Sequence, residues 1–328
     1  MTDRMAYMNG EFIPEGKAMI DPMDRGFYVG DAVFDIARTF DGRPFKLREH
    51  TERLYRSLKY VRIEPGIDVE DMIAVSEELV ARNESERAAA GDWYVWQVVT
   101  RGIAATRAVA PTPTVLVMTK SVPWDPWGTY YRDGAHAVIT RTRAYSGQAL
   151  EPKIKHYSRM NFNLADLEAR DVDPDALPIL LDMDGNIAEG TGYNVAIVTG
   201  GVIRTPGDAS ILRGISRDTM FEIAQQLGIP ATEEAIQPYD VYTADEVFFV
   251  TSPTFVTPVT VVDRRTIGDG RPGPVVASLL ATFSERVGVY IKEQVGRSAP
   301  GHFLRPAVGT ICKRFPLRRV AQQRANSL

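Results

Sequence analysis

The first third of the chain alternates apolar and polar positions in short runs broken by tight-turn pairs. Met5 to Phe12 reads as a strand that turns at Asn9-Gly10 and returns through Phe12-Ile13. Asn-Gly between short apolar runs is a strong hairpin signal. Asp21 to Gly30 is loop-like. Ala32 to Phe40 alternates like a strand, and Asp41-Gly42 turns it back through Pro44 to Leu47. The period then changes. Leu54, Leu58 and Val61 form one apolar stripe, which predicts a helix from Arg48 to Tyr60, and Asp68 to Asn83 is a second amphipathic helix. Trp93 to Thr100 and Thr114 to Thr119 return to the period of a strand. Helices beside consecutive strands imply an α+β unit with an antiparallel sheet.

The second half repeats the mixture. Strands are predicted at His136 to Thr142, Pro178 to Asp182, Val195 to Thr199, Val202 to Thr205, Glu246 to Thr251 and Val256 to Val262. Val195 to Thr199 is read as the return strand after a turn at Asp184-Gly185-Asn186. Helices are predicted at Phe162 to Ala169, at Arg217 to Leu227 (stopped by Gly228-Ile229-Pro230) and at Pro274 to Ile291. Pro238 to Ala244 is a short helix or turn. Prolines, Gly128 and two tryptophans mark 122–134 as a linker. The expected organisation is a small domain over 1–121, that linker, a larger β-rich domain over 135–295, and a tail over 296–328. The tail carries seven Lys/Arg and no acid; it reads as a weakly ordered, solvated extension.

Composition narrows the function classes. At 328 residues the chain exceeds one ordinary core, so two domains are expected. Hydrophobic residues make up 44%, charged residues 24%, and the net charge is -4. This is a soluble composition with no basic field for nucleic acid, no apolar run of bilayer length and no leader pattern at its start. The single cysteine, Cys312, offers no disulfide, and the four histidines show no metal-ligand spacing. A cytoplasmic protein without a metal is the expectation.

One stretch points to chemistry. Lys153-Ile154-Lys155-His156-Tyr157-Ser158-Arg159 follows a turn-rich loop and leads into a helix. Most lysines are solvated surface charges. A lysine held partly desolvated at such a junction can keep its amine neutral for imine chemistry.

Four further stretches accompany it: Asp24-Arg25-Gly26-Phe27 through Arg38; His50-Thr51-Glu52-Arg53-Leu54; Asp184 through Glu189-Gly190-Thr191-Gly192-Tyr193-Asn194; and Leu212-Arg213-Gly214-Ile215-Ser216-Arg217, with Val256-Thr257-Pro258-Val259 beyond. As a set they resemble the class IV (fold type IV) aminotransferases, which use pyridoxal 5'-phosphate and include branched-chain, D-amino-acid and (R)-amine transaminases and aminodeoxychorismate lyase. The resemblance covers about residues 5 to 295.

The resemblance implies roles. Lys155 holds the cofactor and moves the substrate proton. Glu189 faces the pyridine nitrogen, which must stay protonated for the ring to act as an electron sink. Arg53, Ile215, Ser216 and Ser252 surround the phosphate, as a guanidinium and helix-start amides suit an anion, with Gly214 and Thr251 also at the cofactor. Tyr193 and Asn194 complete the cofactor site. Val29, Phe34, Arg38, Tyr94, Trp96 and Arg107 are expected around the substrate. Trp96 and Val29 depart from the residues that branched-chain and (R)-amine enzymes carry there. The implied reaction moves an amino group from an amino acid or primary amine to a 2-oxo acid, with L- or D/(R)-preference left open, in a homodimer. The spacing Lys-His-x-x-Arg at Lys155 to Arg159 matches the lyase subgroup, so lyase chemistry is the alternative.

Overall fold

A computed structural model describes residues 4–104, 110–122 and 127–296. Six strands build a first sheet: β1 (Met5–Met8), β2 (Glu11–Pro14), β3 (Ala32–Phe40), β4 (Arg43–Pro44), β5 (Trp93–Ile103) and β6 (Thr112–Ser121). Their order is β2-β1-β6-β5-β3-β4, antiparallel throughout. Both predicted turns form. Asn9 and Gly10 have φ of 50° and 100°, and Asp41 and Gly42 have 48° and 76°. Such positive φ pairs match the twist of the flanking strands.

Helices Leu47–Val61 and Val69–Arg82 cover one face of this sheet. Leu54, Leu58, Met72 and Leu79 pack with Val33, Ala37, Val95, Val99 and Val117. Each fully buried leucine or valine contributes about 1.5–3 kcal/mol. The other face, with Phe34, Ile36, Trp96 and Met118, is less completely covered.

The second sheet contains β7 (Ala135–Arg143), β8 (Leu177–Leu181), β9 (Asn194–Thr199), β10 (Val202–Thr205), β11 (Ala231–Glu233), β12 (Glu246–Thr251), β13 (Phe255–Val262) and β14 (Arg265–Thr266). The order is β11-β10-β9-β12-β13-β7-β8, with β14 beside β13. Three pairs, β10 with β11, β13 with β7 and β7 with β8, are parallel. Its central strands are apolar on both faces, as a sheet covered on both sides requires. Ala196, Val198, Phe248 and Val250 pack under helices Ile215–Leu227 and Pro274–Val287. Val195, Ile197, Val247 and Phe249 face Ile179, Ile187 and Ile236.

Several local expectations change. Arg25–Val29 is a short helix rather than loop, because the Asp24 carboxylate accepts from Gly26 N at 2.7 Å and caps it. Helix Trp127–Asp133 lies within the expected linker, whose residues 123–126 are outside the described residues. The boundary at 122–134 falls between the two sheets, and both sheets lie in one compact unit, Met1–Arg297. The predicted helix from Pro274 stops at Val287, where Gly288 adopts φ 69°, and Ile291–Gly296 is a separate helix. Of the predicted tail, all beyond Gly296 is outside the described residues. Val195 to Thr199 does not return along β8. The stretch Ile187 to Glu189 does so, and β9 inserts between β10 and β12. That detour brings Glu189 to the edge of β8.

The two sheets are joined at the lysine segment. Phe34 N donates to Lys155 O at 2.9 Å, and Tyr157 N donates to Ala32 O at 3.0 Å, so residues 155–157 run alongside β3. No helix among the described residues is long and apolar enough to cross a membrane.

Candidate active site

Lys155 lies in a cavity between the two sheets that is also lined by Arg53, Arg159, Glu189, Tyr193, Asn194, Gly214, Ile215, Ser216, Thr251 and Ser252. Pairing with β3 fixes its backbone, and its N–H donates to Ser57 Oγ at 3.3 Å. Its ammonium nitrogen is 4.9 Å from the centre of the Phe34 ring. Burial, together with the positive charges of Arg53 and Arg159, lowers the amine to about 7, against the opposing pull of Asp35 and Glu189. A lysine so placed is a competent nucleophile and base near neutral pH.

Arg53 belongs to the inward stripe His50, Arg53, Leu54, Ser57 of helix Leu47–Val61. Its Nε donates to Asp35 Oδ2 at 2.8 Å and its Nη2 to Asp35 Oδ1 at 2.9 Å. Its Nη1 donates to the carbonyl of Arg213 at 2.9 Å. That carbonyl precedes Gly214, the residue that opens helix Ile215–Leu227. Free amides at the start of a helix of this length form a ready anion site. Gly214 is required by space: a Cβ there would lie 2.1 Å from Asn194 Oδ1. Asn194 in turn donates from Nδ2 to Leu212 O at 2.9 Å.

Glu189 lines the same cavity. It is buried, and Leu212 N donates to its Oε2 at 3.1 Å. Burial raises its carboxyl to about 7, while the Leu212 N–H and the charges of Arg159, Lys155 and Arg53 oppose the rise. A carboxyl this close to its ionisation point gains from a cationic or N–H partner. Tyr193 packs against Phe249 with ring centres 4.1 Å apart, and its hydroxyl donates to Pro178 O at 2.7 Å. The Thr251 hydroxyl donates to Gly192 O at 2.8 Å, tying β12 to the turn after Glu189.

The structure therefore brings together Lys155 and all the predicted cofactor residues. The predicted substrate residues divide. Phe34 stands beside Lys155, with its ring tilted against those of Tyr157 at 4.7 Å and Trp96 at 6.0 Å. Arg38 does not reach the cavity. Four residues along a strand is about 13 Å from Phe34, and there its buried guanidinium bonds to Pro253 O and Gln294 Oε1 and covers the Phe40 ring. Tyr94 pairs across from Arg38 at that same far end. Val29 is half exposed and lines a neighbouring cavity with Ala32, Val33 and Leu150, which shares Ile154 and His156 with the first. Arg107 is outside the described residues.

Two residues were not assigned from sequence. Arg159 enters the cavity over the Phe162 ring at 4.1 Å and bonds to Thr191 O. Asp35, fully buried, holds both Arg53 and His50, whose Nδ1 is 2.7 Å from Oδ1. A signal for Asp35 existed. Strand alternation places it between Val33 and Ala37 on the apolar face, where a carboxylate requires a buried cationic partner.

The donor set fits pyridoxal 5'-phosphate. A neutral amine can engage its aldehyde, a buried carboxyl its ring nitrogen, and a guanidinium with helix-start amides its phosphate. Among the described residues no cluster of metal-ligating side chains competes with this reading.

The comparisons agree with the geometry. A Methanocaldococcus jannaschii protein that carries the provisional name of branched-chain-amino-acid aminotransferase is 34% identical over 284 residues, spanning 85% of this chain and 95% of its own length. The D-alanine aminotransferase of Staphylococcus haemolyticus is 30% identical over 86% of this chain and 97% of its own. Among solved structures, the Escherichia coli branched-chain amino acid aminotransferase superposes with a TM-score of 0.79 at 26% identity, covering 87% of this chain and 94% of that one. The family model for amino-transferase class IV matches residues 32–262. From Arg53 to Ser252, the cavity residues fall inside that match, and the chain belongs to the class IV aminotransferases.

Proposed function

We propose that this aminotransferase holds pyridoxal 5'-phosphate on Lys155 and transfers an amino group from an amino acid to a 2-oxo acid. The observation that carries the residue assignment is one cavity lined by Lys155, lowered to about 7, together with Arg53 and Glu189. When bound, the cofactor supplies an aldehyde that accepts the amino group and a ring that accepts electrons from the substrate's Cα–H bond. Arg53 and the amides of Ile215 and Ser216 would hold its phosphate. Glu189 would hold its ring nitrogen, and the Leu212 N–H keeps that carboxylate in place. Lys155 takes and returns a proton at Nζ, and its lowered pKa matches it to neutral pH. Phe34 flanks that nitrogen, with Tyr157 and Trp96 packed beside its ring.

The amino-acid and 2-oxo-acid class rests on the family and on the relatives named as branched-chain and D-alanine aminotransferases. The substrate carboxylate is assigned to Arg107. Lyase action on aminodeoxychorismate, the alternative from the Lys155–Arg159 spacing, gains no support from relatives named as transferases. The working form is a homodimer. Met19, Met23, Phe27, Tyr28 and Val29 form an exposed apolar run that a second copy would cover. A cytoplasmic setting completes the proposal, consistent with one cysteine.

The test is a panel of L- and D-amino acids and (R)- and (S)-1-phenylethylamine against pyruvate and 2-oxoglutarate. Transfer with parallel-line kinetics is expected, because one site serves both half-reactions. Pyruvate release from aminodeoxychorismate without an acceptor, and no transfer in the panel, would refute the proposal.

A further inference from the structure

Asp35 has no part in the reaction described above, yet it is a fully buried acid held by several donors beside the cavity. It sits on β3 with no exposure, and it receives four donors: Arg53 Nε at 2.8 Å, Arg53 Nη2 at 2.9 Å, His50 Nδ1 at 2.7 Å and Ile36 N at 2.8 Å. Arg53 and His50 are three residues apart on one helical face, so both side chains fall on one strand position. The positive charge of Arg53 and the hydrogen bonds from His50 and Arg53 outweigh burial and hold the Asp35 carboxyl far below the usual carboxylate range. It is an anion at every working pH. His50 is neutral, because burial lowers its pKa against the pull of Asp35, so its Nδ1–H is the donor.

A guanidinium has five N–H donors in a rigid planar fork. Asp35 takes two of Arg53's from the Nε–Nη2 side. The Arg213 carbonyl takes one from Nη1. Two N–H groups remain, one on each terminal nitrogen. Without Asp35 the side chain could rotate and present any side of the fork, and the loop carbonyl before Gly214 would lose its tie to a fixed partner.

We infer that Asp35 is a positioning residue for cofactor phosphate. By clamping one side of the Arg53 fork, it commits the two remaining N–H donors to the anion and registers them with the amides of Ile215 and Ser216. His50 and the Ile36 N–H hold the clamp itself. This rests on the reading that Arg53 binds the phosphate.

The experiment compares two probes, pyridoxal 5'-phosphate and pyridoxal, which differ only in the phosphate. Each is titrated into the full chain freed of cofactor, and affinity is followed by protein fluorescence. The readout is the ratio of the two affinities, which an unspecific loss of packing would leave unchanged. Asp35→Asn places an amide against the Arg53 donors and is expected to lower the ratio about tenfold or more. Asp35→Glu keeps the charge and is expected to stay within about threefold of the native ratio. Asp35→Ser serves as a second neutral variant should Asn not fold.

A folded neutral variant with the native ratio would overturn the inference. So would Asp35→Glu losing as much as Asp35→Asn, and so would failure of both neutral variants to fold, which would make Asp35 a stability residue. Arg53→Met separates the two layers of the argument. If it leaves the ratio unchanged, the phosphate assignment of Arg53 is wrong. If it lowers the ratio while Asp35→Asn does not, only the role of Asp35 fails.

Discussion

The pH dependence of cofactor capture follows directly from where Lys155 sits. Only the neutral amine can attack an aldehyde. An ordinary lysine, at 10.5, is about 0.03% neutral at pH 7, whereas one lowered to about 7 is about half neutral. The cavity therefore raises the reactive fraction by more than about a thousandfold. Capture should be timed by stopped-flow absorbance after mixing the cofactor-free full chain with pyridoxal 5'-phosphate from pH 6 to 10.5. The rate should rise to a plateau with a midpoint near 7. A phosphate monoester is nearly fully ionised above about pH 7, so a rise beyond that point does not come from the phosphate. Arg159→Met removes a cation that depresses Lys155, and the midpoint should move to higher pH. The same shift has a stability consequence. Between pH 7 and 10.5 the folded chain has shed a proton that the unfolded chain keeps, so this group makes the cofactor-free chain more stable as pH rises through that window. Lys155→Met should flatten the slope. A capture rate still climbing near pH 10, or a midpoint that falls in Arg159→Met, would refute the electrostatic account of the site.

Three other outcomes can be checked. Glu189→Gln should keep bound cofactor but lose about ten- to a hundredfold in turnover, because a neutral amide cannot hold a protonated ring nitrogen as a carboxylate does; a normal rate would remove Glu189 from the mechanism. Gly214→Ala forces a Cβ to within 2.1 Å of an Asn194 oxygen whose side chain is tied to Leu212 O, so thermal unfolding should register a loss of about 1–3 kcal/mol with weaker cofactor affinity, and unchanged values would mean the loop moves freely. Sedimentation equilibrium should give a dimer, with activity lost on dilution into monomer; a fully active monomer would contradict the assembly proposed.

The legible parts of this molecule were the local ones. Asn9-Gly10 and Asp41-Gly42 announced their turns because positive φ at consecutive positions leaves few residue choices. The residues expected at the cofactor came as a set because the motifs around Lys155, Arg53, Glu189 and Gly214 together resemble one family, and the structure lines one cavity with them. What escaped depends on distant partners. Glu189 reaches the edge of β8 only because Ile187 to Glu189, not β9, pairs there, and local pattern carries no record of which strand a return segment joins. Arg38 was expected at the substrate because the family resemblance places an arginine there. Its direction of travel along β3, away from Lys155 and toward Pro253 and Gln294, is set by the packing of residues 215 to 256 positions away in sequence. Helix Arg25–Val29 is only five residues long, too short for a period to show, and it exists because of one capping carboxylate.

The central claim is that Lys155 is the residue that bonds the cofactor. Borohydride reduction of the cofactor-loaded protein fixes that bond, and peptide mass spectrometry locates it. The account predicts one phosphopyridoxyl group per chain, on the peptide containing Lys155, and none in Lys155→Ala. The group on neighbouring Lys153 or any other lysine, or no stable adduct at all, would contradict it.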